Sequence, residues 1–226
     1  MTETVLVFGA SGNMGIAAII GAHNAKHNVI AVVRNEASAE KIFKYVGTRE
    51  GYYDVREGKL PAFQHVWASP GWVYADAKIL DLDVAAFRAS MTANFETYII
   101  AYRATVPYLL DQGFPGTTWT MCTGAQGEWG LRVAPAVTQG ALFSFAVAAA
   151  RENEDTNIRF NEVYLAYRVQ LEVEPGMTNF HGFPITTSRE FAPVFEKLLN
   201  RTDIRGSRVK AVKPQDVIDL KFEKKF

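Results

Sequence analysis

A single cysteine, Cys122, occurs in 226 residues. It excludes an internal disulfide framework and points to a reducing compartment. Charge of either sign is also missing in excess: 24 Lys and Arg balance 24 Asp and Glu. The chain therefore carries no electrostatic footprint for nucleic acid or for an anionic membrane. No apolar run reads as long enough to span a bilayer. The start, "MTETVLVFGASG", enters a strand directly, without a basic leader. A cytoplasmic protein with no membrane and no nucleic-acid partner is expected. The four histidines, His23, His27, His65 and His181, show no ligand spacing. His23 and His27 stand one helical turn apart, but no cysteine or carboxylate pair accompanies them, so no metal is expected.

What is present is apolar patterning. Hydrophobic residues make up 48% of the chain, enough for one domain with a sizeable core. Short β-type runs at 4–10, 28–35, 62–69, 117–124, 157–169 and 207–212 alternate with helical patterns at 14–26, 36–46, 83–113, 135–154 and 188–201. Such alternation predicts an α/β fold with a doubly wound, mostly parallel sheet, spanning 1–226 as a single domain. The stretch 170–187 holds Pro175, Gly176, Gly182 and Pro184 and reads as a loop. It opens a small substrate-loop region near 170–201. The run "ALFSFAVAAA" (141–150) is apolar on almost every side, so it reads as a helix buried all round.

One interval breaks the rhythm. "GYYDV" reads as a third strand, but only Arg56 to Ala62 separate it from the next one. A parallel crossover needs on the order of a dozen residues. The third crossover helix is therefore expected to be missing or truncated, either by a true deletion or because a segment is absent from the chain.

"VLVFGASGNMG" reads as strand, tight turn and helix, with Gly9, Gly12 and Gly15 at G-x-x-G-x-x-G spacing. Glycines allow close approach to a pyrophosphate, and a helix N-terminus offers it free N–H groups. The expected contacts are Gly9, Ser11, Gly12, Asn13, Met14 and Gly15. At the end of the second strand, Arg34 stands where an acidic residue would read a free ribose 2′-hydroxyl. A guanidinium suits a 2′-phosphate, which favours NADP(H) over NAD(H).

On these motifs the chain resembles the short-chain dehydrogenase/reductase family, a Rossmann-type fold, over nearly its whole length. The resemblance implies that Asp54 touches the adenine. It also implies that "ASPG" (68–71), with Ala68 and Ser69, takes the place of the family's Asn-Asn-Ala-Gly motif. Asn94 matches the helix asparagine of the family's proton relay, and Thr123 falls at the catalytic serine. Ala136 and Gly140 fall where the family has Tyr-x-x-x-Lys. Leu165 and Ala166 replace its Pro-Gly beside the nicotinamide, while Asn161 is kept. The phosphate end of the site is thus present and the chemical end is rewritten. In the family, two helices like those of 83–113 and 135–154 pair across a dimer axis, which implies a homodimer or homotetramer, and Gly140 would let backbones approach there.

Other polar groups near the rewritten end are Glu128, Arg132, Tyr164 and Tyr167, the two tyrosines being candidate acids. Trp67, Trp72, Tyr74 and Trp129 are expected to rim the pocket, which would suit a bulky, mostly apolar small-molecule substrate. Three functions fit these residues. The first is an atypical NADP(H)-dependent reductase of small-molecule metabolism, secondary metabolism included, that acts on an activated substrate. The second is a non-redox cyclase, isomerase or dehydratase. The third is a non-catalytic NADP(H)-sensing protein.

Overall fold

A computed structural model describes residues 2–47, 60–71, 73 and 77–225. The first half runs β1 (Thr4–Phe8), α1 (Asn13–Asn24), β2 (Asn28–Ala31), α2 (Glu36–Val46), β3 (His65–Ala68), α3 (Val84–Met91), α4 (Thr97–Gln112) and β4 (Thr118–Gly124). The second half runs α5 (Gln126–Trp129), α6 (Val133–Glu152), β5 (Arg159–Leu165), β6 (Arg168–Gln170), β7 (Asn179–Phe180), β8 (Phe183–Thr187), α7 (Ser188–Phe191), α8 (Pro193–Asn200), β9 (Ser207–Ala211) and β10 (Lys221–Lys224).

The central sheet has the order β10-β9-β5-β4-β3-β1-β2. All its pairings are parallel except β10 on β9. Its inner strands β1, β3, β4 and β5 are buried along nearly their whole length. A strand covered on both faces tends to read as an apolar run, as β1 does, whereas β4 and β5 also bury Thr118, Thr120, Thr123, Arg159, Asn161 and Glu162. One face is covered by residues of α1, α2, α7 and α8, including Ile16, Ile19, Phe191 and Phe195. The other face packs against α4 and α6 around Trp119 and Phe160, whose rings stack 5.3 Å apart. Trp119 Nε1 donates to Thr105 Oγ1 at 3.0 Å, so its one polar atom is satisfied in the core. Truncating such a side chain to alanine costs about 3–5 kcal/mol.

Buried Arg159, at the start of β5, donates to the carbonyls of Leu198, Leu199, Arg201 and Ile204. A cation at the C-terminal end of α8 satisfies carbonyls that helix geometry leaves open and opposes the helix dipole.

Several expectations are revised. The helix expected over 83–113 changes register in a π-helical turn at Thr92–Glu96, between α3 and α4. The helix expected over 188–201 divides at Pro193, which opens α8. The loop expected over 170–187 is partly a second, three-stranded sheet of order β6-β8-β7. Its short strands carry too few residues for a period-2 pattern to show. The tail "KFEKKF" contributes the edge strand β10. Helix α6 runs 20 residues and is apolar and long enough to cross a membrane by composition, contrary to the expectation from the sequence. Its apolar character has a core explanation: Ala134, Leu142, Ala146, Ala149 and Ala150 are buried. It is not covered all round, because Ser144 and Ala148 are exposed on this chain. The third strand, Tyr52 and Tyr53 included, and most of the short link after it lie outside the described residues.

Candidate functional site

The strand order reverses between β1 and β3, and the C-terminal ends of these strands form the crevice where open α/β sheets hold ligands. The glycine loop fills that position after β1. Gly9 has φ +72°, and a Cβ there would stand 2.4 Å from the Ser69 carbonyl oxygen. A Cβ on Gly15 would stand 2.2 Å from the Gly9 carbonyl oxygen. Any side chain at either position would push the turn open. The Gly12 N–H closes the turn on Gly9 O at 2.9 Å, and Gly12 then precedes α1 with no side-chain cap and no acid in the first turn. That bare helix start is suited to an anion of pyrophosphate size.

The flanking residues take different tasks. Ser11 is half-buried beside exposed Gly12. The Asn13 side chain turns away to donate to Val169 O at 2.9 Å and Gln170 Oε1 at 3.2 Å, and the Ser188 hydroxyl donates to Asn13 O. Met14 packs on the core. These contacts fasten the start of α1 to β6 and α7. Arg34 is exposed after β2, and Asn35 caps α2 through Ser38 N at 3.0 Å. Ala68 is buried at the end of β3. Ser69 Oγ accepts the Trp67 indole N–H at 3.0 Å. Trp67 itself is fully buried against Phe195, so it does not rim a pocket. Asp54, Trp72 and Tyr74 lie outside the described residues.

Asn94 sits within the π-helical turn and is buried. Its amide meets both backbone groups of Val73, accepting from N–H and donating to C=O. It thereby pins the segment after β3. Thr123 reaches the end of β4 but is only 2% exposed. Its hydroxyl donates to Glu162 Oε1 at 2.7 Å. Glu162, 1% exposed, also pairs with Arg208 and with Lys225, each at 3.0 Å. Arg208 continues to Glu128 at 2.8 Å and lies over the rings of Phe143 and Tyr164. The Tyr164 hydroxyl donates to Glu128 at 2.8 Å. Burial, reinforced by the neighbouring Glu128, pushes the Tyr164 phenol up to about 12. Tyr167 belongs to the core beside Phe191, and its buried hydroxyl has no hydrogen-bond partner among the described residues. Burial raises its pKa further still.

Ala136 and Gly140 are half-buried on α6. A Cβ on Gly140 would meet nothing within 4 Å among the described residues. The neighbouring Gln139 accepts the Gly124 N–H at 2.6 Å, tying α6 to the end of β4. Trp129 on α5 stacks on Phe183 of β8 at 5.3 Å, bridging to the small sheet. A cavity of about 410 Å³ opens between Ala77–Ile79 and Leu131–Val133. Glu162, Arg208, Lys225 and Gln139 were missed by sequence reasoning. Only the strand register, which sets Glu162 beside Arg208, reveals the first three.

No protein-family model matches the chain. It is 43% identical to the short-chain dehydrogenase/reductase iacG of Pestalotiopsis fici, across 100% of this chain and 97% of that protein. It therefore belongs to the short-chain dehydrogenase/reductase family. The match runs over 242 positions against 226 residues here, so at least 16 positions fall opposite gaps in this chain. In fold it is similar to an oxidoreductase of this family from Burkholderia thailandensis, with TM-score 0.75 and 18% identity over 93% of this chain and 91% of that one. An NAD+-bound xylitol dehydrogenase gives TM-score 0.75 and 17% identity over 92% and 96%.

Proposed function

We propose that this chain is an NADP(H)-dependent reductase that transfers hydride to an activated, mostly apolar small molecule without a tyrosine–lysine relay. The observation that carries the reading is the contrast between the two ends of one site. The glycine turn and the uncapped start of α1 are built for a pyrophosphate. Across the crevice, α6 presents Ala136 and Gly140, with open space where a lysine side chain would begin. An alanine methyl has no proton to give, and general acid–base catalysis is typically worth about 10²–10⁴-fold. A substrate that is already cationic or conjugated needs no acid as hydride arrives.

A bound nicotinamide would supply the hydride. The chain's own residues bind and orient. The α1 N-terminus holds the pyrophosphate, and Arg34 takes the 2′-phosphate through a bidentate contact. Asn94 and Gln139 hold the loops on either side of the crevice by their backbone bonds. Stacked Trp129 and Phe183 offer aromatic surface that would suit an apolar substrate. Stopped-flow oxidation of NADPH with a panel of ketones, enones and iminium ions tests this. Turnover confined to enones or iminium ions supports the reading, and fast turnover of plain ketones overturns it.

A non-redox cyclase or isomerase is the second reading. The replacement of Pro-Gly by Leu165 and Ala166 favours it, because those positions flank the nicotinamide in the family. Substrate conversion with no change in nicotinamide absorbance would support it.

A further inference from the structure

Glu3, His27 and His65 stand apart from the glycine-loop site. Glu3 immediately precedes β1, His27 immediately precedes β2, and His65 opens β3. β1 lies between β3 and β2, with Val5 level with His65 and Thr4 level with Asn28. Strand register alone therefore sets one carboxylate between two imidazoles, at the end of the sheet opposite the glycine loop.

The geometry is close to that of a metal centre. The ligand atoms of all three residues lie within 4.8 Å of one another. His65 Nε2 stands 2.6 Å from Glu3 Oε2, and His27 Nε2 stands 3.7 Å from the same oxygen. In a tetrahedral zinc site with bonds near 2.0–2.1 Å, adjacent donor atoms are about 3.4 Å apart. The two observed distances bracket that value. Of these two pairs, the larger adjustment, under about 1 Å, falls on a carboxylate that is 33% exposed and can move.

The surroundings support the same use. His65 is 1% exposed, and Phe114 meets its ring edge-on, so its orientation is locked. Its Nδ1 lies 3.0 Å from Thr118 Oγ1. A hydroxyl can donate or accept, so Thr118 serves either tautomer and leaves Nε2 aimed at Glu3. His27, 15% exposed, and Glu3 leave a solvent path for entry and for a water ligand.

We infer that Glu3, His27 and His65 form a binding site for one divalent transition-metal ion of the zinc class, which ties together the starts of β1, β2 and β3. Two imidazoles and one carboxylate select against magnesium and calcium, which take all-oxygen sets. The site lies away from the hydride chemistry, so its test is independent of that reading.

Chelator-stripped full chain is titrated with Zn²⁺ by calorimetry and with Co²⁺ by its visible spectrum, with thermal melts in parallel. The expected result is one ion per chain and a higher Tm with zinc. His27→Ala and Glu3→Gln, both at partly exposed positions, should each lower affinity by at least about tenfold. Exposed His181 lies outside the cluster, and His181→Ala should bind as the unmodified chain does. Absence of saturable binding, or full affinity retained by either His27→Ala or Glu3→Gln, overturns the site.

Discussion

The Thr123 hydroxyl donates to Glu162 at 2.7 Å, so this residue, expected from the resemblance at the catalytic-serine position, commits its proton inside the protein. Glu162 balances that donor together with Arg208 and Lys225. Glu162→Ala would take the carboxylate from Lys225 and leave Arg208 with Glu128 alone, and should destabilise the fold by about 3–5 kcal/mol. Thr123→Val removes one donor to a carboxylate and should cost about 1–3 kcal/mol. If its hydroxyl also orients substrate, turnover should fall about tenfold or less. Denaturant melts and steady-state kinetics of the two variants check both figures.

Cofactor preference should follow Arg34. NADPH should bind more tightly than NADH, and Arg34→Asp should reverse the order. A charged hydrogen-bonded contact worth about 1.5–3 kcal/mol corresponds to about 10- to 100-fold in affinity. Calorimetric titration with both nucleotides reads it, and equal affinities would count against the assignment.

Tyr164 should stay protonated near neutral pH. Its phenol is raised to about 12 from an ordinary value of 10, with burial the main cause. The unfolded chain therefore loses this proton first, and the stability contributed by the neutral phenol is present below pH 10 and lost as pH rises through 12. The pH–rate profile should show no limb from this tyrosine between pH 7 and about 10. Comparing that profile with one for Tyr164→Phe checks the point.

Gly140 lies inside α6 with an ordinary backbone conformation and open space beside it. Gly140→Ala should stabilise by about 0.5–1 kcal/mol through helix propensity. Ala136→Tyr combined with Gly140→Lys should still fold, without raising turnover of the native substrate. The open space at Gly140 makes overpacking there a poor explanation for any loss, so a loss would report on the substrate's space. A large gain on the native substrate would show that a tyrosine relay serves this enzyme.

Association should use the outer faces of α4 and α6. Ile100 on α4 and Val137 on α6 are large apolar residues exposed on this chain. Ala148 is exposed on α6 and small. Light scattering should report a dimer or tetramer, and Ala148→Glu should shift it toward monomer. A stable monomer of the unmodified chain would contradict this.

The sequence by itself determined the class of fold, because both-face burial and the glycine turn each leave a local signature. An apolar run marks β1, and the spacing of Gly9, Gly12 and Gly15 marks the tight turn into α1. The placement of Ala136 and Gly140 at the family's Tyr-x-x-x-Lys rests on residue identity and remains part of the proposal. Contacts set by strand register were not legible. Glu162, Arg208 and Lys225 come from β5, β9 and the residue after β10, and Trp67 goes inward because Phe195 from α8 covers it. The same holds for Glu3, His27 and His65, whose separations in sequence match no ligand motif. Parallel strands are joined by long crossovers, so residues at their ends become neighbours only when the sheet assembles, and only the tertiary structure decided which side chains meet.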